Sequence, residues 1–180
     1  MKERRIIIDP GHGGRDPGAV HPSGDPKEAD ITHAAASLLG QALRFLGHEV
    51  MFTPAVGLPN SEVIRAGERA RYANHNDGAL FVSLHCNASE NHKGKGTEVW
   101  YASQKQLAAD LSIAASLGDS GRNRGAKRSD GLSVLVNTTM PAVLIELAFI
   151  DNDADCAWLL SHWPAQIGAI AAVISRWMGL

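Results

Sequence analysis

Short apolar runs alternate with longer amphipathic stretches along this chain, and the alternation predicts the order of its strands and helices. The apolar runs predict strands at residues 4–9, 48–53, 79–84, 96–101, 132–136 and 142–149. Apolar positions three and four residues apart predict helices at residues 30–46, 60 or 61 to 74, 103–117, 153–160 and 163–178. This order predicts an α/β fold of three layers, with a mixed, mostly parallel sheet of about six strands and helices on both faces.

Polar segments separate these elements. Loops are predicted at residues 10–29, 86–95 and 118–131. Asp30 is predicted to cap the first helix, and Ser103 with Gln106 fits a capping box for the third. No repeat or linker interrupts the pattern, so residues 1–180 are predicted to form a single domain.

Composition narrows the functional classes. Apolar residues make up 44% of the chain and charged residues 20%, as in ordinary globular proteins. The net charge of −2 gives no argument for nucleic-acid binding. Basic residues are concentrated between Lys93 and Arg128, where they could favour an anionic ligand or simply form a solvated face.

The chain shows no sequence signal for a disulfide or a membrane segment. Cys86 and Cys156 have no framework spacing, so we expect both thiols to be unpaired. The apolar run after the basic N-terminus is too short for the core of a signal peptide. No stretch approaches the roughly 20 apolar residues of a membrane span, so we expect a soluble chain without an export signal.

His12 is the first candidate for chemistry. It lies in DPGHGG at residues 9–14, directly after the first predicted strand. Glycines on both sides leave the imidazole ring uncrowded, which suits metal binding or acid–base chemistry. A turn histidine that faces water is the alternative, and the residues that His12 meets in the fold must decide between them.

Two more candidates lie at or near strand ends. His85 follows the predicted strand 79–84, and ligands of α/β sheets gather beyond the carboxyl ends of strands. Glu146 lies within an apolar strand whose two faces are both apolar. An unpaired buried carboxylate is costly, so Glu146 needs a cation or a catalytic role, unless it lies at a wet strand end or pairs with an arginine.

Glu28 completes a possible metal site. It lies just ahead of the first helix, where the helix dipole favours a carboxylate, and the loop 10–29 returns it towards His12. Two histidines and one carboxylate with an open fourth position make a catalytic zinc site, and Glu146 could then act as general base. Six other histidines compete as ligands: His21, His33, His48, His75, His92 and His162.

Taken together, these residues resemble those of the zinc-dependent N-acetylmuramoyl-L-alanine amidases of the amidase type 3 family. The likeness extends over essentially the whole chain, and its motifs are IIIDPGHGGRDPGA (6–19), KEAD (27–30), FVSLHCNA (81–88) and MPAVLIELAFIDN (140–152). The resemblance implies that His12, Glu28 and His85 are the Zn²⁺ ligands and that Glu146 is the catalytic residue.

Weaker matches suggest the surroundings of the site. Arg69 and Asn74 resemble residues of the family's helix segment. Arg124 and Lys127 resemble a loop that lines the substrate groove, and with Asn87 they are the expected substrate-binding residues. At residues 53–54 the chain has Thr-Pro where relatives commonly have Thr-Arg. The segment 86–96 has no room for the inhibitory helix of autoinhibited relatives, so no external activator is expected.

The resemblance implies hydrolysis of the amide between N-acetylmuramic acid and L-alanine in peptidoglycan. A zinc peptidase or deacetylase on the same site is the alternative, and a non-catalytic wall-binding module would require the loss of a ligand or of Glu146. We expect a monomer that acts on the cell wall, in the periplasm or outside the cell. It would be a phage endolysin, another lytic enzyme, or a domain of a longer exported autolysin.

Overall fold

One sheet organises the molecule in the computed structural model, which describes residues 5–54 and 64–179. The elements in chain order are β1 (Ile6–Pro10), α1 (Glu28–Phe45), β2 (Val50–Phe52), α2 (Ala66–His75), β3 (Leu80–Asn87), β4 (Thr97–Tyr101), α3 (Lys105–Ala115), β5 (Asn123–Arg128), α4 (Ser133–Val136), β6 (Ala142–Phe149) and α5 (Asp153–Met178).

The sheet is mixed. Within the described residues its six strands have the order β2-β1-β3-β6-β4-β5, and only the β4–β6 pair is antiparallel. The carboxyl ends of β1, β3 and β6 therefore meet the amino ends of β4 and β5 at one edge, which we call the site edge. The predicted fold class is confirmed.

The two faces of the sheet are covered unequally. Helices α1, α3 and α5 pack on one face around Ile6, Ile8 and Ile145. The opposite face, which we call the groove face, packs Ile7 and Phe81 against the shorter α2 and α4. Because side chains alternate along a strand, polar residues continue the groove face towards the site edge: Asp9, Ser83, His85, Glu146 and Glu98.

The predicted strand at 132–136 is wrong. Ser133–Val136 is a single helical turn, α4, whose buried Val134 and Leu135 pack in the core of the groove face. The missing strand is β5, Asn123–Arg128, inside the segment predicted as a loop. It pairs with β4 on one side only, and such an edge strand keeps polar residues because it has little core to face.

Several predicted helix ends are also wrong. Helix α1 starts at Glu28 rather than after Asp30, and α3 starts at Lys105 without a side-chain cap from Ser103. The two predicted C-terminal helices are one helix, α5, which runs through Pro164. The carbonyl that Pro164 leaves unpaired belongs to Leu160, which is exposed, so water can bond to it.

Other boundaries shift by a few residues. Strand β3 continues to Asn87, so His85 lies inside the strand rather than after it. Helix α2 begins at Ala66, and its predicted start at residue 60 or 61 lies outside the described residues. Cys86 and Cys156 are buried free thiols, as expected.

Helix α5 is long and apolar enough, by length and composition alone, to cross a membrane. Its apolar side packs in the larger core through Ile167, Ile170 and Ile174. A core helix meets the same criteria, so this feature does not by itself indicate a membrane span.

Candidate functional site

The turn that carries His12 is held in a left-handed conformation. His12 has φ of 65°, and Gly13 and Gly14 also have positive φ. Arg69 on α2 is buried behind this turn, where its guanidinium donates to the carbonyl of His12 at 2.7 Å and to that of Pro10. A non-glycine residue rarely adopts this conformation unless its surroundings enforce it, and Arg69 supplies that enforcement.

Asp9 fixes Arg69 in turn. The Asp9 carboxylate is fully buried and accepts hydrogen bonds from Arg69 Nη1 at 2.8 Å, Thr53 Oγ1 at 2.7 Å and Ser83 Oγ at 2.7 Å. A buried charge is tolerated when it is paired and hydrogen-bonded in this way. Sequence reasoning gave Arg69 only a minor role, because the helical pattern of α2 does not reveal what the side chain reaches.

Glu28 joins the two histidines. Its Oε2 lies 3.1 Å from His12 Nε2, and its Oε1 lies 2.9 Å from His85 Nδ1. The backbone amides of Ala19 and Cys86 donate to the same carboxylate, each at 2.9 Å. The structure therefore brings His12, Glu28 and His85 together, with one donor atom from each lying within 4.8 Å of the others.

This donor set fits a transition-metal ion. Two imidazole nitrogens and one carboxylate oxygen are ligands that Zn²⁺ accepts in catalytic sites. Asp16 Oδ2 lies 2.9 Å from His12 Nδ1 and so orients the ring, as outer carboxylates do for histidine ligands. A Cβ at Gly11 would overlap the His85 ring, and one at Gly18 would overlap both Glu28 and His12.

The electrostatics of the cluster favour bound positive charge. Burial disfavours the protonated ring, but the hydrogen bonds and charges of Glu28 and Asp16 outweigh it and raise the pKa of His12 to about 9. Burial would raise the pKa of Glu28, yet hydrogen bonds from His12 and His85 lower it well below the usual range. Without a metal, the cluster therefore holds a proton where a cation can replace it.

Glu146 lies beside this cluster on the groove face. It is in register with His85 on one neighbouring strand and with Glu98 on the other. Its Oε2 is buried and has no hydrogen-bond partner among the described residues. Burial, reinforced by the charges of Glu28 and Glu98, raises the pKa of Glu146 to about 7. A carboxylate with such a pKa suits general acid–base catalysis at neutral pH.

The three expected substrate-binding residues meet at Glu98. Asn87 Nδ2 donates to Glu98 Oε1 at 3.0 Å, while Arg124 Nε and Lys127 Nζ both donate to Oε2. Sequence reasoning missed Glu98. The signal was present, because Glu98 is an acidic residue within an apolar strand, as Glu146 is.

Several basic residues between Lys93 and Arg128 form ion pairs with acidic residues of the same chain. Arg122 pairs with Asp155, and Arg128 pairs with Asp130. These ion pairs reduce the positive charge that the segment between residues 93 and 128 could offer to an anionic ligand.

None of the competing histidines belongs to the metal-donor group found among the described residues. His33 is the nearest to it, because its ring bonds to the backbone of His12. His48 bonds to Ser175, His92 pairs with Asp151, and His162 stacks on Trp158. The connection between β3 and β4 contains no helix, and the Asn152 side chain fastens it by donating to the His92 carbonyl.

Comparisons with known proteins show what the whole chain is similar to. A family model described as N-acetylmuramoyl-L-alanine amidase matches residues 6–175. The uncharacterized protein YqiI of Bacillus subtilis (strain 168) is 32% identical over 179 residues, covering 96% of this chain and 83% of YqiI.

Two further similarities concern proteins that are named as amidases. The N-acetylmuramoyl-L-alanine amidase LytC of the same organism is 33% identical over 162 residues, covering 86% of this chain but 31% of LytC. The solved structure of amidase AmiC2 of Nostoc punctiforme superposes with a TM-score of 0.85 at 26% identity, covering 98% of this chain and 97% of that chain.

Proposed function

The chain belongs to the N-acetylmuramoyl-L-alanine amidase family, and from this premise we propose that it hydrolyses the amide between N-acetylmuramic acid and L-alanine with the help of zinc. Membership makes the chain a cell wall amidase that acts on peptidoglycan. One observation carries the finer proposal: Glu146 lies in register beside the His85 of a cluster of two histidines and one glutamate.

We assign the metal to His12, Glu28 and His85. The choice of zinc rests on the donor set, on the Asp16 carboxylate behind His12, and on the two glycines that keep space beside the rings. When bound, zinc supplies a Lewis acid that polarises the scissile carbonyl and makes water easier to deprotonate.

Glu146 is the proposed general base and acid. Its carboxylate accepts a proton from the attacking water as the bond from water oxygen to the lactyl carbonyl carbon forms. The same group then donates that proton to the nitrogen of L-alanine as the carbon–nitrogen bond breaks. The raised pKa of Glu146 suits both halves of this cycle, because the group must exchange its proton near neutral pH.

The open part of the groove face is the proposed substrate site. The side chains of His85 and Glu146 are partly accessible there, and Arg124 and Lys127 lie along the wall beyond Glu146. We propose that Arg124 and Lys127 contact the stem peptide, and that Asn87 contributes by holding Glu98.

We also propose that residues 1–180 act as one monomeric domain without an activator, as an endolysin or another lytic enzyme on the peptidoglycan outside the cytoplasmic membrane. The short, fastened connection between β3 and β4 supports independence from an activator, because it contains no helix that could act as an inhibitory segment. The purified protein should therefore digest isolated cell walls unaided. A requirement for a second protein would contradict the proposal that no activator is needed.

Product analysis tests the reaction. Digestion of purified peptidoglycan should expose the amino group of L-alanine and create no reducing sugar end, whereas a peptidase or a deacetylase would leave that amide intact. A chelator should stop the reaction, and stoichiometric zinc should restore it. Products that lack an L-alanine amino terminus would refute the proposed bond, and full activity in metal-free protein would refute the role of zinc.

A further inference from the structure

Four side chains form a row across the groove face. His85, Glu146 and Glu98 are in register on β3, β6 and β4, and residues paired in this way project from the same face. Lys127 on β5 is in register with Trp100, two residues beyond Glu98, and so lies on that face too. The row therefore leads from the metal cluster, past the proposed base, to a cation at the edge strand.

Glu98 is the buried anchor of this row. Only 2% of Glu98 is exposed, and both of its carboxylate oxygens accept hydrogen bonds. Hydrogen bonds from Arg124 and Lys127 lower the pKa of Glu98 although burial would raise it, so its charge is retained. One cation would neutralise that charge, but two are present, and together the three groups have a net charge of +1.

The two cations that carry the surplus charge are partly exposed to solvent. The side chains of Arg124 and Lys127 are 39% and 33% exposed, whereas their shared partner is buried. Aromatic rings support both cations: the Arg124 guanidinium lies 5.0 Å from the centre of the Phe149 ring, and Lys127 Nζ lies 5.3 Å from that of Trp100. These contacts fix two normally flexible side chains next to a substrate that passes Glu146.

The distance between Glu146 and the two cations on β5 indicates which part of the substrate the cations can reach. Neighbouring strands lie about 4.8 Å apart, so β5 is roughly 10 Å from β6, which carries Glu146. An extended peptide covers that distance in about three residues. A carboxylate recognised by Arg124 and Lys127 would thus belong to the first few residues after the scissile amide.

We propose that Arg124 and Lys127, held side by side on Glu98, form a subsite that selects stem peptides with an ionised carboxylate over those with the corresponding carboxamide. The inference rests on the proposed amidase function and adds the charge of the preferred substrate. Asn87 is a positioning residue in this arrangement, because its amide donates to Glu98.

The test compares two N-acetylmuramoyl peptides that differ only in whether the peptide carboxylates are free or amidated. The wild-type enzyme should have a KM about tenfold lower for the free acid, the effect expected of one charge-assisted contact. Lys127→Met and Arg124→Gln each leave a neutral pair on Glu98 and should abolish that preference. Lys127→Arg keeps the charge and should keep the preference, which separates loss of charge from loss of structure.

Lys95→Met is the matched control. Lys95 is an exposed cation whose backbone carbonyl accepts a hydrogen bond from Arg124, but its side chain does not bond to Glu98. Its preference should equal that of the wild type. The subsite is refuted if the wild type shows no preference, if both neutralising variants keep it, or if Lys95→Met loses it equally. If neither peptide is cut at the muramoyl amide, the proposed function fails instead.

Discussion

Replacing Arg69 with alanine should lower both the free energy of unfolding and the affinity for zinc. The substitution leaves the fully buried Asp9 carboxylate without its cation and releases the carbonyls of Pro10 and His12. Breaking a buried ion pair from one side costs about 3–5 kcal/mol. Thr53 and Ser83 still donate to Asp9, so we expect a loss near the lower end, about 3 kcal/mol.

Urea unfolding of the metal-free protein measures this loss directly, because bound zinc would add its own stabilisation. In a domain of this size the melting temperature should fall by about 6–12 °C. Zinc affinity should fall as well, since the bond from Arg69 to the His12 carbonyl no longer supports the positive φ of His12. Arg71→Ala on the same helix is the control: that side chain is 79% exposed, and its loss should cost less than about 0.5 kcal/mol. Equal effects of the two variants would refute the role of Arg69 in holding the His12 turn.

The remaining predictions concern the metal cluster. His12→Ala and His85→Ala should each lose zinc in equilibrium dialysis, and retention at full occupancy would exclude that residue as a ligand. Gly11→Ala should reduce zinc content and activity, because its Cβ would displace the His85 ring. Unchanged zinc affinity in this variant would contradict the close approach of Gly11 to His85. The raised pKa of His12, about 9, means that the His12–Glu28 pair stabilises the metal-free protein fully below pH 6.5 and ceases to do so as pH rises through 9. Zinc must displace that proton, so zinc affinity should rise about tenfold per pH unit from pH 7 and level off near pH 9. A zinc affinity independent of pH would contradict the assignment of His12 as a ligand.

The proposed site residues stand out in the sequence because they break the patterns around them. His12 interrupts a glycine turn after a strand, and Glu146 interrupts an apolar strand that is buried on both faces. Their meeting in space follows from parallel strands that end at one edge, which the α/β pattern already implied.

The misses also have physical reasons. Strand β5 has almost no apolar residues, because an edge strand bonds to one neighbour and covers little core. The run at 132–136 has a strand-like composition, but packing against α2 makes it a helical turn. Glu98 and Arg69 act through partners far away in the chain, Arg124 and Asp9, and no local pattern reveals such pairs.

The most direct test of the proposed mechanism separates the base from the metal. Glu146→Gln keeps the size of the side chain and removes its charge, so zinc content should remain stoichiometric while release of peptides with an L-alanine amino terminus falls by at least about 100-fold. The same assay on Glu146→Ala should agree. If either variant, with its zinc bound, releases these peptides at the wild-type rate, Glu146 is not the base.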